Sequence, residues 1–249
     1  MKSLSIVIPA YNEGKRIGNT LKDYLGFFGK RDFEIIVVLN GCKDNTLSIV
    51  KKFSKSKNLH FKNFPQKLGK GGAVIEGFKL ARKEYISYVD ADGSTKAKDF
   101  YEIFEKINGF DGIIASRYVE GSVISKKQSL GRIIASRGFN FLVRLLFNFP
   151  FKDTQCGAKI FRKEVIKKVL PFIGTTGWAF DIDILFRANS LGFKIIEVPT
   201  TWSNVEGSKL NMRKTVPAMF LSVIRLRLLS SRFRSIVPLM HKISQWFSK

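Results

Sequence analysis

Short apolar runs recur through the first half of the chain, each followed by a stretch of helical character, and this alternation limits the fold more than any single residue does. Leu4–Ile8 is β-rich and ends at Pro9, and an amphipathic stretch spans Glu13 to Phe28. Glu34–Leu39 is a second, continuous run, as expected of a parallel strand buried on both faces. After Asn40-Gly41, Asp44 is a good N-cap for a helix reaching about Ser54. Leu59–Phe64 reads as a strand, Lys70–Lys83 as a helix opened by glycines, and Tyr85–Val89 as a strand ending at Asp90. A helix over Lys98–Ile107 and a strand over Gly112–Ala115 follow. Strands alternating with helices predict an α/β, doubly wound, mainly parallel sheet. Ligands of such sheets collect at the carboxyl ends of the strands. Asn40, Asp90 and Ser116 all fall just past strand ends, so one crevice can gather them.

The sharpest local feature is Val89-Asp90-Ala91-Asp92-Gly93. Two carboxylates one residue apart, where the chain leaves a sheet, can reach one hard divalent cation and leave its other positions to diphosphate oxygens and water. Such a cation would neutralise charge on a leaving diphosphate. Taken alone, the same residues are also ordinary turn formers. Pro9-Ala10-Tyr11-Asn12-Glu13 follows the first strand and would put polar groups at the crevice mouth; equally, Asn12 or Glu13 could cap the next helix. Gly69-Lys70-Gly71-Gly72-Ala73 opens a helix, where glycines admit a ligand close to the backbone and Lys70 offers charge to phosphate. It matches neither a Walker A loop nor the dinucleotide fingerprint.

Charge narrows the partners. The 249 residues carry a formal charge of +23, which calls for an anionic partner: nucleic acid, phosphorylated substrates or an anionic membrane. Cys42 and Cys156 are too few for a disulfide framework or a zinc site, and fit a reducing, cytoplasmic location. Met1–Ala10 reads as a strand rather than a signal peptide. No uncharged apolar stretch reaches the roughly 18–20 residues of a bilayer span; Val216–Ile224 is cut off by Arg225 and Arg227. Gly131–Phe151 is rich in Phe, Leu and Ile but broken by Arg132, Arg137 and Arg144, and residues 207–249 hold nine Lys or Arg and no Asp or Glu. Gly131–Phe151 and Val216–Phe247 read as amphipathic interfacial helices for an anionic membrane surface. The same stripes would also serve as protein core or as a homo-oligomer contact.

Several ordered motifs carry a resemblance. Pro9–Glu13, Asp90-Ala91-Asp92-Gly93-Ser94-Thr95-Lys96 and Ser116-Arg117-Tyr118 resemble family 2 glycosyltransferases, among the polyprenyl-phosphate hexose synthases. Asp153-Thr154-Gln155-Cys156-Gly157-Ala158-Lys159-Ile160-Phe161, Trp178-Ala179-Phe180-Asp181-Ile182-Asp183 and Glu206-Gly207-Ser208-Lys209-Leu210, with Gly69–Ala73, are more similar to the dolichyl-phosphate β-glucosyltransferase group than to the mannosyl enzymes. The similarity runs from about Leu4 to Leu229.

The resemblance implies a GT-A domain over residues 1–210, with 131–151 an interface helix within it, and a basic helical segment over 211–249. It implies Mg2+ or Mn2+ on Asp90 and Asp92, and inverting transfer of a hexose, glucose from UDP-glucose, to dolichyl or polyprenyl phosphate at the cytoplasmic membrane face. The nucleotide-sugar site would comprise Pro9, Tyr11, Glu13, Asn40, Asp44, Lys70, Asp90, Ala91 and Asp92. Arg117, Arg132 and Ser136 match positions near the acceptor phosphate. Asp92, Arg117, Asp153 and Asp183 are the candidate catalytic residues; Asp153, Asp181 and Asp183 would orient substrate or arginines, with Asp183 a base in a different acceptor setting. Two departures stand out. Asn40 replaces the Asp common in relatives and can accept from a base only through its amide oxygen. Asp183 replaces a Glu. A GDP-mannose-dependent synthase, another family 2 transferase and a basic nucleic-acid-binding module are the alternatives, and the last leaves Asp90 and Asp92 without a task.

Overall fold

The structure, a computed structural model, describes residues 2–126, 130–174, 177, 179–203, 212–229 and 231. Seven strands form the main sheet: β1 (Leu4–Ala10), β2 (Phe33–Asn40), β3 (Leu59–Phe64), β4 (Tyr85–Val89), β5 (Gly112–Ser116), β7 (Ala158–Arg162) and β8 (Ile195–Pro199), in the order β3-β2-β1-β4-β7-β5-β8. β6 (Val123–Lys126) and β9 (Thr201–Ser203) pair in parallel as a small second sheet.

The apolar runs act as two-faced strands. Ile6 and Ile8 of β1 and Ile35, Val37 and Leu39 of β2 pack against α1 (Ile17–Phe28), α2 (Thr46–Lys52) and α4 (Ala97–Glu105). The residues between them, Val7, Ile36 and Val38, face the other layer. That layer holds α3 (Gly69–Leu80), α5 (Leu130–Phe147), α6 (Lys163–Val169), α7 (Phe180–Ser190) and α8 (Met212–Leu229). Successive side chains of a strand point to opposite faces, so continuous apolar sequence is what a doubly covered sheet demands. Gly77 of α3 lets that helix sit on β1, because a Cβ there would overlap the Val7 side chain.

β7 runs antiparallel to both its neighbours, β4 and β5, while every other pairing in the sheet is parallel. Its start therefore lies at the carboxyl ends of β4 and β5, and the segment before it, residues 153–157, enters the crevice between them. This reversal places the site.

Several boundaries differ from those expected. The helix after β2 starts at Thr46 rather than Asp44, whose carboxylate instead accepts from Thr46 N at 3.0 Å, outside the helix. α3 ends at Leu80, not Lys83, because Arg82 N and Lys83 N donate to Glu34 Oε1 at 2.7 Å and Ser5 Oγ at 3.1 Å. The helix expected over 131–151 stops at Phe147; Asn148 turns the chain with φ 52°, and Phe149 and Phe151 are buried in the core. α8 lies against α5, with Val223 and Leu226 buried and Arg227 Nε donating to the Leu146 carbonyl at 2.8 Å. Trp178, Glu206–Leu210 and the basic segment after Ser231 lie outside the described residues.

Candidate active site

The loop carrying the two carboxylates hangs from α1. Thr20 Oγ1 donates to the Ala91 carbonyl at 2.9 Å, and the Tyr24 hydroxyl donates to the Thr95 carbonyl at 3.1 Å. Asp92 Oδ1 accepts from Ser94 N at 3.0 Å, and Gly93, at φ 72°, makes the turn between them. Asp90 leaves β4 beside Gly157, where a Cβ would overlap its carboxylate. A side chain at 157 would force that carboxylate to move.

Behind Asp90 lies a ladder of alternating charge. Lys70 Nζ is 2.8 Å from Asp90 Oδ1 and 3.9 Å from Asp181 Oδ2. Lys159, wholly buried, binds Asp181 Oδ1 at 2.6 Å and the Cys156 carbonyl at 2.7 Å, and the Tyr88 hydroxyl donates to the same Asp181 oxygen. Burial opposes ionisation of Asp181, but Lys159 and Lys70 outweigh it and hold its carboxyl below the usual range. Burial pushes the Asp90 carboxyl up, Lys70 pulls it back, and the Asp92 charge adds to the rise. Burial disfavours the Lys70 ammonium as well, yet Asp90 and Asp181 raise its pKa. Cys156 is inert here: burial pushes its thiol up to about 12.

A second cationic centre sits at the end of β5. Arg117 donates to Asp153 through Nε at 2.7 Å and through a terminal nitrogen at 2.9 Å, and its backbone N–H adds a bond of 3.0 Å. This bidentate pair uses two of the five guanidinium N–H groups and leaves the others to a ligand. Burial disfavours both charges, but their mutual attraction keeps Asp153 below the ordinary carboxylate range and Arg117 protonated. The guanidinium lies 5.2 Å from the Tyr118 ring centroid and 5.4 Å from that of Trp202. Tyr118 in turn donates to Ser136 Oγ of α5 at 2.9 Å. Arg132 belongs to α5, and its side chain lies outside the described residues.

The 153–157 segment joins the two centres. Glu197 of β8 accepts from Lys152 N and from Asp153 N, the latter at 2.6 Å. Asn140 of α5 accepts from Thr154 N and Thr154 Oγ1, both at 2.9 Å. Since β7 separates β4 from β5, Asp90 and Arg117 stand two strand spacings apart, about 10 Å.

The residues expected on the nucleotide side gather around the ends of β1 and β2. Glu13 takes Arg16 in a bidentate pair of 2.6 Å bonds, and its backbone N donates to Thr46 Oγ1 at 2.8 Å. Burial raises the Glu13 carboxyl, Arg16 opposes the rise, and Asp92 and Asp90 add to it, which puts Glu13 in the same electrostatic field as the loop. Asp44 accepts from Gly14 N at 3.1 Å and also from Thr46. Lys67 Nζ lies 4.2 Å from the Tyr11 ring centroid. Pro9 lies inside β1, paired with Val38, and the strand runs one residue past the expected stop to Ala10. Asn40 spends both ends of its amide on the start of α3: its oxygen accepts from Leu68 N at 2.6 Å and its nitrogen donates to the Gly69 carbonyl at 3.1 Å. Asp183 accepts from Gly174 N at 3.0 Å and from Arg187 Nε at 3.2 Å.

The residues fit a divalent cation. Asp90 and Asp92 offer hard oxygen donors at a loop mouth, and no group of three or more His, Cys, Asp or Glu among the described residues would close the coordination shell. A cation there would keep positions for phosphate oxygens and water, as Mg2+ does. Residues 5–170 match the sequence model for glycosyl transferase family 2. The chain belongs to that family.

This family 2 glycosyltransferase is 35% identical to dolichyl-phosphate beta-glucosyltransferase of Dictyostelium discoideum, over 90% of its own length and 73% of the relative's. It is also 35% identical to the Saccharomyces cerevisiae protein of the same name, over 83% of this chain and 69% of that one. In shape it resembles glucosyl-3-phosphoglycerate synthase from Mycobacterium tuberculosis, crystallised with Mn2+, UDP and glucosyl-3-phosphoglycerate, with TM-score 0.67 and 17% identity over 92% of this chain and 79% of that one. The GT-A fold expected from the motifs is the fold observed.

Four side chains that shape the enzyme's site carried no role in the sequence: Lys159, Glu197, Trp202 and Asn140. Lys159 had a signal, a lone lysine inside the apolar run Ala158–Phe161, which a central strand buries and must therefore pair. Glu197 sits alike within Ile195–Pro199. Trp202 and Asn140 had none, because their roles depend on the β6–β9 pairing and on how α5 docks.

Proposed function

We propose that this enzyme transfers glucose, with inversion, from UDP-glucose to dolichyl or another polyprenyl phosphate at the cytoplasmic face of a membrane, with Mg2+ or Mn2+ on Asp90 and Asp92. The observation that carries it is that two charged centres sit at the ends of the strands flanking β7, with backbones about two strand spacings, about 10 Å, apart: a carboxylate loop suited to a metal–diphosphate and a braced arginine suited to a second anion. Two anionic substrates must be held together, and cations on each side make that feasible. The 35% identity to proteins named for dolichyl phosphate and glucose supports the choice of acceptor and sugar.

A phosphate monoester has its second pKa near 6 and is largely ionised at neutral pH, so an acceptor of this kind needs no strong general base. Arg117 would orient it, with Asp153 and the Tyr118 and Trp202 rings fixing the guanidinium plane. A divalent cation would supply neutralisation of charge on the departing diphosphate. Asn40, bound at both amide ends, supports a role in fixing the Lys70 loop more than in reading the base.

α5 supports delivery from a lipid surface. Leu130, Ile134, Phe141 and Leu145 are 67–78% exposed along one helix that also carries Arg137 and Arg144. Apolar side chains can enter the interface while arginines reach anionic head groups. No helix among the described residues is long and apolar enough to cross a membrane.

The test is an assay of purified protein with radiolabelled UDP-glucose, UDP-N-acetylglucosamine and GDP-mannose, polyprenyl phosphate, and added Mg2+, Mn2+ or chelator. Lipid-linked glucose from UDP-glucose, lost with chelator, is the expected result. Transfer from GDP-mannose alone would replace the donor assignment.

A further inference from the structure

Lys70 has two carboxylates in reach, Asp90 at 2.8 Å and Asp181 at 3.9 Å. Asp181 is secured without it: Lys159 binds that carboxylate at 2.6 Å and the Tyr88 hydroxyl donates to it. Asp90 is different. Lys70, at 2.8 Å, is the one cation paired with it among the described residues, and Gly157 packs against its carboxylate. The Lys159–Asp181 pair is thus fixed, whereas Lys70 stands between Asp90 and a second carboxylate 3.9 Å away.

Position adds a second argument. Lys70 is the second residue of α3, where the helix presents unpaired N–H groups and the positive end of its dipole. A cation is disfavoured there, and Asp90 offsets that cost. Asn40 holds this helix start in place through Leu68 and Gly69. An incoming diphosphate brings the negative charge that both the helix terminus and Lys70 favour.

We propose that Lys70 is a resident counter-cation that keeps Asp90 closed to a free divalent ion and releases it when a nucleoside diphosphate arrives, so that metal and nucleotide bind as one unit. The inference rests on the assignment of Asp90 and Asp92 to metal binding. A free divalent ion at Asp90 meets the ammonium charge on the same carboxylate, and like charges a few ångströms apart weaken its binding. The diphosphate removes that opposition by giving Lys70 new acceptors. Binding of the two ligands is then coupled, and by reciprocity the metal tightens nucleotide binding by the same factor.

The test is direct Mn2+ binding, followed by electron paramagnetic resonance, to the full chain at fixed neutral pH with and without saturating UDP. Wild type is compared with Lys70→Gln and Lys70→Arg. Lys70→Gln is expected to bind free Mn2+ about tenfold or more tightly than wild type, and to show a smaller gain on adding UDP. Lys70→Arg, which keeps the charge, should retain weak binding of free Mn2+. Lys70→Met, similar in length and uncharged, replaces the glutamine variant if that one does not fold. A lysine that merely steadied Asp90 would give the opposite sign, with free Mn2+ bound more weakly once the charge is gone. That result, or wild type binding Mn2+ equally with and without UDP, overturns the inference and leaves the metal site standing. No Mn2+ binding to any form with UDP present overturns the metal assignment and the inference together.

Discussion

Asp90 keeps its place because position 157 carries no side chain. Any Cβ there would overlap the carboxylate, so the chain must pass as bare backbone. Gly157→Ala should therefore shift Asp90 and lower transfer about a hundredfold, since misplacement near 1 Å in an organised site costs that much. The far-UV circular dichroism spectrum should stay unchanged, and a variant with full activity would show that Asp90 tolerates the shift. At this scale the sequence was readable where chemistry is local. Asp90 and Asp92 stand out as a carboxylate pair, whereas Arg117 is singled out only by the resemblance that Ser116-Arg117-Tyr118 carries. Asn40 was placed at the nucleotide site by the resemblance, and the structure adds that its amide binds Leu68 N and the Gly69 carbonyl. Side-chain partners that come from 28 or 29 residues away leave no mark in the local sequence.

Among the elements, β7 governs the site by its direction. Its antiparallel course puts its beginning at the crevice, and its second residue, Lys159, goes into the core with Asp181 as partner. Lys159→Met should strand a buried carboxylate and cost about 3–5 kcal/mol, the usual penalty for removing one member of a buried pair. Urea unfolding checks this, and a loss below 1 kcal/mol would mean that Lys70, 3.9 Å from Asp181, takes over the role. The strands β1, β2 and β4 were legible because burial on both faces writes continuous apolar runs. β7's direction was not, since pairing orientation depends on the neighbours a strand finds and not on its own five residues. α6 and β9, of seven and three residues, are too short for periodicity to register.

Over the whole molecule, charge and exposed apolar surface support the proposed delivery from a membrane. The +23 formal charge would favour any polyanion, but the exposed Leu130, Ile134, Phe141 and Leu145 add an apolar face on α5 that nucleic acid does not need. Replacing Ile134 and Leu145 by Asp together should weaken binding to anionic vesicles about tenfold or more, given the transfer energy of two large aliphatic side chains. Cosedimentation measures it, with transfer to a water-soluble short-chain acceptor as the control for folding. Unchanged vesicle binding would move the contact away from this face. The amphipathic character of 131–151 was visible in the sequence, but the burial of Phe149 and Phe151 was not, because it follows from the turn at Asn148. Residue, element and molecule meet in the proposed task, a metal-held diphosphate and a lipid phosphate brought to either side of β7. The most direct measurement is glucose transfer from UDP-glucose to polyprenyl phosphate by folded Asp92→Ala with saturating Mn2+. About 1% or less of the wild-type rate is expected if Asp92 holds the cation that stabilises the leaving diphosphate; near-wild-type transfer would contradict that role.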